Sequence, residues 1–365
     1  MIKHRQYSSM KSLHRPCVLF FFVFSLFSEA FSFDTDTTLN ARTITITGVG
    51  DIMLGTSFPS RGYLPVGDDP VFLLGDLADT LSSSDITFGN LEGSFLNDGP
   101  PAKKCRDTTM CYLFRMPEKY SKALQIAGFD LISLANNHFG DFGYGSRLRT
   151  RHLLDSLGII YAGLEEYPFS VLIRDSLAFG FCAFAPNAGT VKINDLYKAE
   201  KIVRFLDAIC DIVIVSFHGG AEGAEFEYVP KKEEIFMGES RGDVHMFSHR
   251  MIDAGADVIF GHGPHVSRAI EVYRERFIAY SLGNFCTYAR FNLAGPNGLA
   301  PVIRLNVDTE GRFISGRIIP GFQTKTEGVR YDHNKRVIKK IRDLTKKDFP
   351  DAVVVISDSG EIKYK

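Results

Sequence analysis

The chain has 365 residues, 45% hydrophobic and 23% charged, enough apolar material for one large domain or two modest ones, which excludes disordered and fibrous classes. Lys and Arg total 42 against 43 Asp and Glu, so no net basic field exists to hold nucleic acid, and nucleic acid is not an expected partner.

Residues 1–30 differ from the rest. Lys3, Arg5, Lys11 and Arg15 precede the apolar run Cys17 to Phe27, and Ser28-Glu29-Ala30 offers small residues for a cleavage site. This order reads as a secretory signal peptide. The alternative is an uncleaved anchor, the one route to a membrane, but the run is shorter than the roughly 20 residues a spanning helix needs. The expected destination is therefore periplasmic or extracellular, and loss of the segment leaves a mature chain at −4. No lipobox precedes Cys17. In an oxidising compartment Cys105 and Cys111, flanking the loop Arg106 to Met110, read as a local disulfide contributing roughly 2 kcal/mol. Cys182, Cys210 and Cys286 read as buried thiols.

After the signal, short apolar β-branched runs alternate with segments of helical period. The runs are Thr43 to Val49, Asp85 to Phe88, Asp130 to Leu134, Asp211 to Phe217 and Ala256 to Phe260. Between them lie helical stretches at Phe72 to Ser83, Glu118 to Ala127, Ser146 to Leu157, Tyr197 to Ile209 and Val244 to Ala254. Gly128, Gly158 and Gly255 suit left-handed caps. Such alternation implies right-handed βαβ units and a largely parallel sheet. From Val266 the rhythm changes to hairpins, turning at Arg274-Glu275-Arg276 and at Asp308 to Gly311, so the second half of the sheet is expected to be antiparallel. The tail reads as a basic helix, Asn334 to Thr345, and a hairpin around Asp358-Ser359-Gly360. The expected class is α/β, a mixed sheet with parallel units first and antiparallel hairpins after, in a domain over 31–325 with an extension over 326–365.

Each of the five runs is followed at once by residues able to bind a metal. They are Asp51, Asn90 with Glu92, Asn136-Asn137-His138, His218, and the pair His262 and His265. In a parallel sheet the ligand crevice lies at the carboxyl ends of the strands, so separate segments would meet at one site. Each residue alone has a bland reading: a satisfied polar histidine, an N-cap aspartate, an asparagine turn. Those readings would have to hold independently at five places. Imidazole with carboxylate is what a borderline divalent metal takes from a protein.

The same residues carry a resemblance. Gly50-Asp51-Ile52-Met53-Leu54, Asn90-Leu91-Glu92-Gly93, Ser133-Leu134-Ala135-Asn136-Asn137-His138 with Asp141-Phe142-Gly143, Ser216-Phe217-His218-Gly219-Gly220, Gly261-His262-Gly263-Pro264-His265 and Tyr280-Ser281-Leu282-Gly283-Asn284-Phe285 resemble the successive motifs of the CapA family. This is the bacterial capsule, or poly-γ-glutamate, synthesis family, similar in fold to the calcineurin-like metallophosphoesterases. The resemblance runs from about Ile44 to Phe285 and implies a metallophosphoesterase-type sandwich.

It also implies roles. In metallophosphoesterases two neighbouring metals activate a water for attack on phosphorus. By resemblance Asp51 matches the first aspartate, Glu92 the bridging carboxylate, Asn137 the amide ligand and His138 the acid at the leaving oxygen. His218 and His262 complete one metal, and His265 helps hold the other. Met53 stands where those enzymes have a histidine, and a thioether is a poor ligand for a hard cation. The expected cofactor is a divalent metal ion (Mn, Fe, Zn or Mg), with one tight site and a second weak or absent. Asp141 could hold His138 in one tautomer or cap a helix or turn, Glu222 could act as a base or further ligand, and Asn284 reads as a turn residue. Arg241, Arg268 and Arg290 read as solvated surface or as an anion-binding patch. Two functions follow: a metal-dependent hydrolase of a phosphoester or amide, or a component that binds an anionic or glutamyl cell-envelope polymer without catalysis.

Overall fold

Strands that are covered on both faces need unbroken apolar runs, and the chain supplies them. The computed structural model describes residues 42–104, 112–325 and 327–365. Segments 1–30 and Cys105 with Cys111, expected to be a signal and a disulfide, lie outside the described residues.

The first sheet has nine strands. They are β1 (Ile44–Met53), β2 (Ile86–Leu91), β3 (Leu131–Ser133) and β4 (Ile160–Ala162), then, from later in the chain, Asn284–Thr287, Val302–Val307, Phe313–Ile319, Val354–Ile356 and Glu361–Tyr364. β1 to β4 run parallel, whereas Val302–Val307 pairs with β1 antiparallel and begins the antiparallel half. The second sheet has six strands: β5 (Phe169–Arg174), β6 (Leu177–Phe184), β7 (Ile212–His218), β8 (Val258–His262), β9 (Ile270–Tyr273) and β10 (Arg276–Ala279). Here β6, β7, β8 and β10 are parallel, and β5 and β9 close the two edges antiparallel.

The parallel-then-antiparallel order expected from sequence holds, and the elements divide between two facing sheets, the sandwich that the resemblance implied. Phe88 from β2 stacks on Phe260 from β8 with centroids 5.1 Å apart, in a core that both sheets share. Gly48 makes that approach possible, because a Cβ there would stand 2.4 Å from the Phe260 ring. Helices cover the outer faces. α1 (Ala78–Ser82), α2 (Ser121–Ile126) and α3 (Gly143–Ser156) set Leu81, Leu124 and Leu154 into the core outside the first sheet. α4 (Leu196–Asp207) and α5 (Val244–Asp253) set Val203, Leu206, Phe247 and Met251 outside the second. The layers are therefore helix, sheet, sheet, helix.

Several expected helices differ from what the periodicity implied. The stretch from Phe72 is a 3-10 segment Val71–Leu77, kinked at Gly75, whose φ is +53°, and followed by α1. The tail helix α6 (Arg336–Asp348) starts later and runs further than Asn334 to Thr345, and adds Val337, Ile338 and Ile341 to the inter-sheet core. No helix among the described residues is long and apolar enough to cross a membrane.

Candidate metal centre

Parallel strands deliver their carboxyl ends to one edge, and the register shows how closely. Asp51 in β1 lies level with Asn90 in β2, which lies level with Ser133 in β3. In the second sheet His262, the last residue of β8, is paired with His218, the last of β7. The two groups meet where His262 Nδ1 stands 3.0 Å from Asp51 Oδ1. Asp51 Oδ2 lies 2.9 Å from His265 Nδ1, and Asn90 Nδ2 donates to Asp51 Oδ1 at 2.8 Å. His265 also approaches Asn284 Oδ1 at 3.2 Å. Glu92 follows β2 directly and is fully buried, with His265 Nε2 at 3.6 Å and His138 Nε2 at 3.9 Å from its Oε1.

What this arrangement lacks is partners for its inward atoms. Both carboxylate oxygens of Glu92, Oδ1 of Asn137, and Nε2 of His218 and of His262 are buried and make no hydrogen bond. Each such atom costs roughly 1–3 kcal/mol when left unsatisfied, so five of them are not explained by stability. They are anionic, amide and imidazole donors, the set a divalent cation accepts. Asp51, Glu92 and His265 also bring one ligand atom each within 4.8 Å of one another. The residues present thus fit a divalent metal.

The electrostatics agree. Burial pushes Asp51 up, but hydrogen bonds from His262 and His265 bring its carboxyl far below the usual range. Burial drives Glu92 well above its ordinary value, with Asp51 and Glu222 adding to the effect. Burial likewise holds His218 neutral, well below the usual imidazole range. It opposes the charge on His265, yet Glu92 and Asp51 lift that group to about 10.

Beside the donors opens a cleft of about 720 Å³, lined in part by Asn137, His138, Lys103, Arg147, Glu222 and Arg241. His138 Nδ1 lies 2.8 Å from Asp141 Oδ2. A carboxylate accepts, so the shared hydrogen sits on Nδ1 and Nε2 turns toward Glu92. Asp141 caps no helix, since α3 begins after Phe142. It also accepts from Phe114 N at 3.0 Å and stands 3.4 Å from Lys103 Nζ. Glu222 Oε1 is paired with Arg241 Nη1 at 3.1 Å.

The three arginines separate. Arg241 is buried and lines the cleft; Arg290 lies over the rings of Tyr63 and Tyr112. Arg268 is neither surface nor patch: it is fully buried, and its guanidinium bonds both oxygens of Glu234 at 2.8 and 2.7 Å. Met53 packs with Phe114, Phe291 and Leu293, so an apolar cluster fills the place of the missing histidine. Asn284 is more than a turn residue, because its side chain also donates to the backbone oxygens of His265 and Asn297.

Asn136, grouped in the sequence with the possible metal ligands, has an Oδ1 that accepts from the backbone of His138 and Phe139 and so fixes the loop that carries the histidine. Sequence reasoning missed Lys103 and Arg147. They reach the cleft from distant segments, with no local signal to mark them.

Histidine, carboxylate and amide side chains at the strand ends of a two-sheet α/β sandwich make a candidate metal centre. Residues 45–289 match the family described as bacterial capsule synthesis protein PGA_cap, and the chain belongs to that family. It is 28% identical over 263 residues to capsule biosynthesis protein CapA of Bacillus anthracis, covering 66% of this chain and 59% of that protein. To the PGA biosynthesis protein CapA of Bacillus subtilis it is 27% identical over 254 residues, covering 65% and 61%. The chain thus spans about three fifths of the length of these curated relatives. Among solved structures it is similar to a 5'-nucleotidase precursor from Thermus thermophilus, with a TM-score of 0.44 at 12% identity, covering 84% of this chain and 59% of that one.

Proposed function

We propose that this protein is an exported metal-dependent hydrolase of capsule, poly-γ-glutamate or related envelope-polymer metabolism, cleaving a phosphoester or an amide. The observation that carries the reading is the set of five buried donor atoms without partners beside the His138–Asp141 pair. The printed names of the relatives, capsule and PGA biosynthesis proteins, support the polymer.

Glu92, Asn137, His218 and His262 would hold the tighter ion, with Asp51 and His265 forming a weaker neighbouring place that Met53 leaves one ligand short. A bound divalent cation supplies Lewis-acid polarisation of the scissile group and a nucleophilic water at neutral pH. His138, oriented by Asp141 through Nδ1–H, would as the imidazolium give its Nε2 proton to the leaving atom and remain as the neutral Nδ1–H imidazole. Glu222 holds Arg241 at the cleft wall, and Lys103, Arg147 and Arg241 together favour an anionic substrate. The same cationic lining supports the second reading, in which the cleft binds an anionic chain without cutting it.

Turnover on a phosphodiester and on a γ-glutamyl amide tests the reading, in the metal-loaded parent and in His138→Ala, His218→Ala and Glu222→Ala. Activity in the parent that falls in His138→Ala and His218→Ala supports hydrolysis. A folded, metal-loaded parent that cleaves neither substrate but binds poly-γ-glutamate favours the second reading. Export is tested by the N-terminal sequence of the secreted protein, expected near Phe31; retained Met1 contradicts it.

A further inference from the structure

Outside the second sheet, away from the cleft, α5 presents a second group of donors. His245 and His249 are four residues apart on this helix, so they share one face, and their ring centroids are 4.2 Å apart. Opposite them Glu271 projects from β9, with His249 Nε2 2.9 Å from its Oε2. One ligand atom from each of the three residues lies within 4.8 Å of the others. All three side chains are partly exposed, so an ion has a route in.

The surroundings hold these groups in place. Tyr280 donates its hydroxyl to Glu271 Oε2 at 2.7 Å, a contact of the kind that orients a ligating carboxylate. The His249 ring stacks on Tyr273 at 3.9 Å, and the His245 ring lies nearly parallel to Phe349 at 5.9 Å. A helix-to-hairpin ion pair between His249 and Glu271 would be complete without His245. A second imidazole packed against the first adds nothing to that pair and repels it when protonated. Burial and the neighbouring His249 hold His245 below the usual imidazole range, which keeps its lone pair free, while Glu271 is held below the usual carboxylate range although burial opposes it.

We propose that His245, His249 and Glu271 form a second metal site, separate from the cleft, for a borderline divalent ion of the zinc class. Two nitrogen donors out of three select against magnesium and calcium, and two imidazoles with one carboxylate are an established zinc set that leaves room for a water. The ion would replace the hydrogen of the His249–Glu271 contact and tie α5 to the hairpin of β9 and β10. Its role is to fasten the outer helix layer to the second sheet; no part of the cleft is involved.

The test is zinc content of the whole chain after equilibrium dialysis against zinc, compared among the parent, His245→Ala and Glu271→Gln, with circular dichroism as the folding check. Each variant is expected to bind one zinc per chain fewer than the parent, with affinity at this site at least about tenfold weaker. The zinc-dependent rise in Tm should shrink in both. Crystals of the parent grown with zinc and measured at the zinc absorption edge give a readout independent of any variant, with an anomalous peak expected between His245, His249 and Glu271. Equal zinc content in parent and His245→Ala, or anomalous density at the cleft alone, would overturn the proposal.

Discussion

His138 and Asp141 are three residues apart in the chain and 2.8 Å apart in space, so the second orients the ring of the first. Asp141→Asn removes the acceptor facing Nδ1 and lets the ring turn or change tautomer. Turnover is predicted to fall by about 10–100-fold with metal content unchanged, because such supporting contacts carry effects of that size. His138→Ala should cost more, about 10²–10⁴-fold, if the histidine is the acid. Kinetics paired with metal analysis of the same samples check both. Met53→Ala should cost about 2–5 kcal/mol in a denaturation experiment, since it empties a place packed by Phe114, Phe291 and Leu293. At this scale the sequence was readable where a contact follows spacing, as between His138 and Asp141. It was unreadable at Arg268, whose partner Glu234 is 34 residues away.

Between elements, the site depends on how closely β1 approaches the segment before Asn284–Thr287. Asp51 N donates to Gly283 O at 2.9 Å, and a Cβ on Gly50 would come within 2.1 Å of that same oxygen. Gly50→Ala is therefore predicted to destabilise by at least about 1–3 kcal/mol and to lower metal content, measured by denaturation and elemental analysis. Asp257 ties three strands: it precedes β8, accepts from Val213 N of β7 at 2.7 Å and pairs with Arg276 Nε of β10 at 2.8 Å. Burial nevertheless pushes its carboxyl up to about 7. The folded protein then keeps a proton that the unfolded chain releases near pH 4, so this group's contribution to stability falls as pH rises from about 4 to about 7. Asp257→Asn should flatten that part of the Tm profile; parallel profiles for parent and variant would contradict it. The hairpin of β5 and β6 shows why some elements escaped the sequence. Its turn, Asp175-Ser176, has φ of +49° and +68°, a conformation usually marked by Asn-Gly or Asp-Gly, and neither residue here announces it.

Across the whole molecule, the two-sheet sandwich was legible only through the resemblance, because apolar alternation reports which residues are buried, not which sheet buries them. Phe88 and Phe260 read alike in sequence; only their stacking assigns them to facing layers. The convergence of strand ends was legible because it follows from parallel connection alone. On the proposed reading, one sheet brings Glu92 and Asn137, the other brings His218 and His262, and these four side chains would hold a divalent metal together. The most direct measurement is anomalous diffraction from crystals of the protein grown with manganese and recorded at the manganese edge. The account predicts a peak in contact with Glu92, Asn137, His218 and His262, lost in His218→Ala. Manganese-saturated crystals with no density among those four side chains would contradict it.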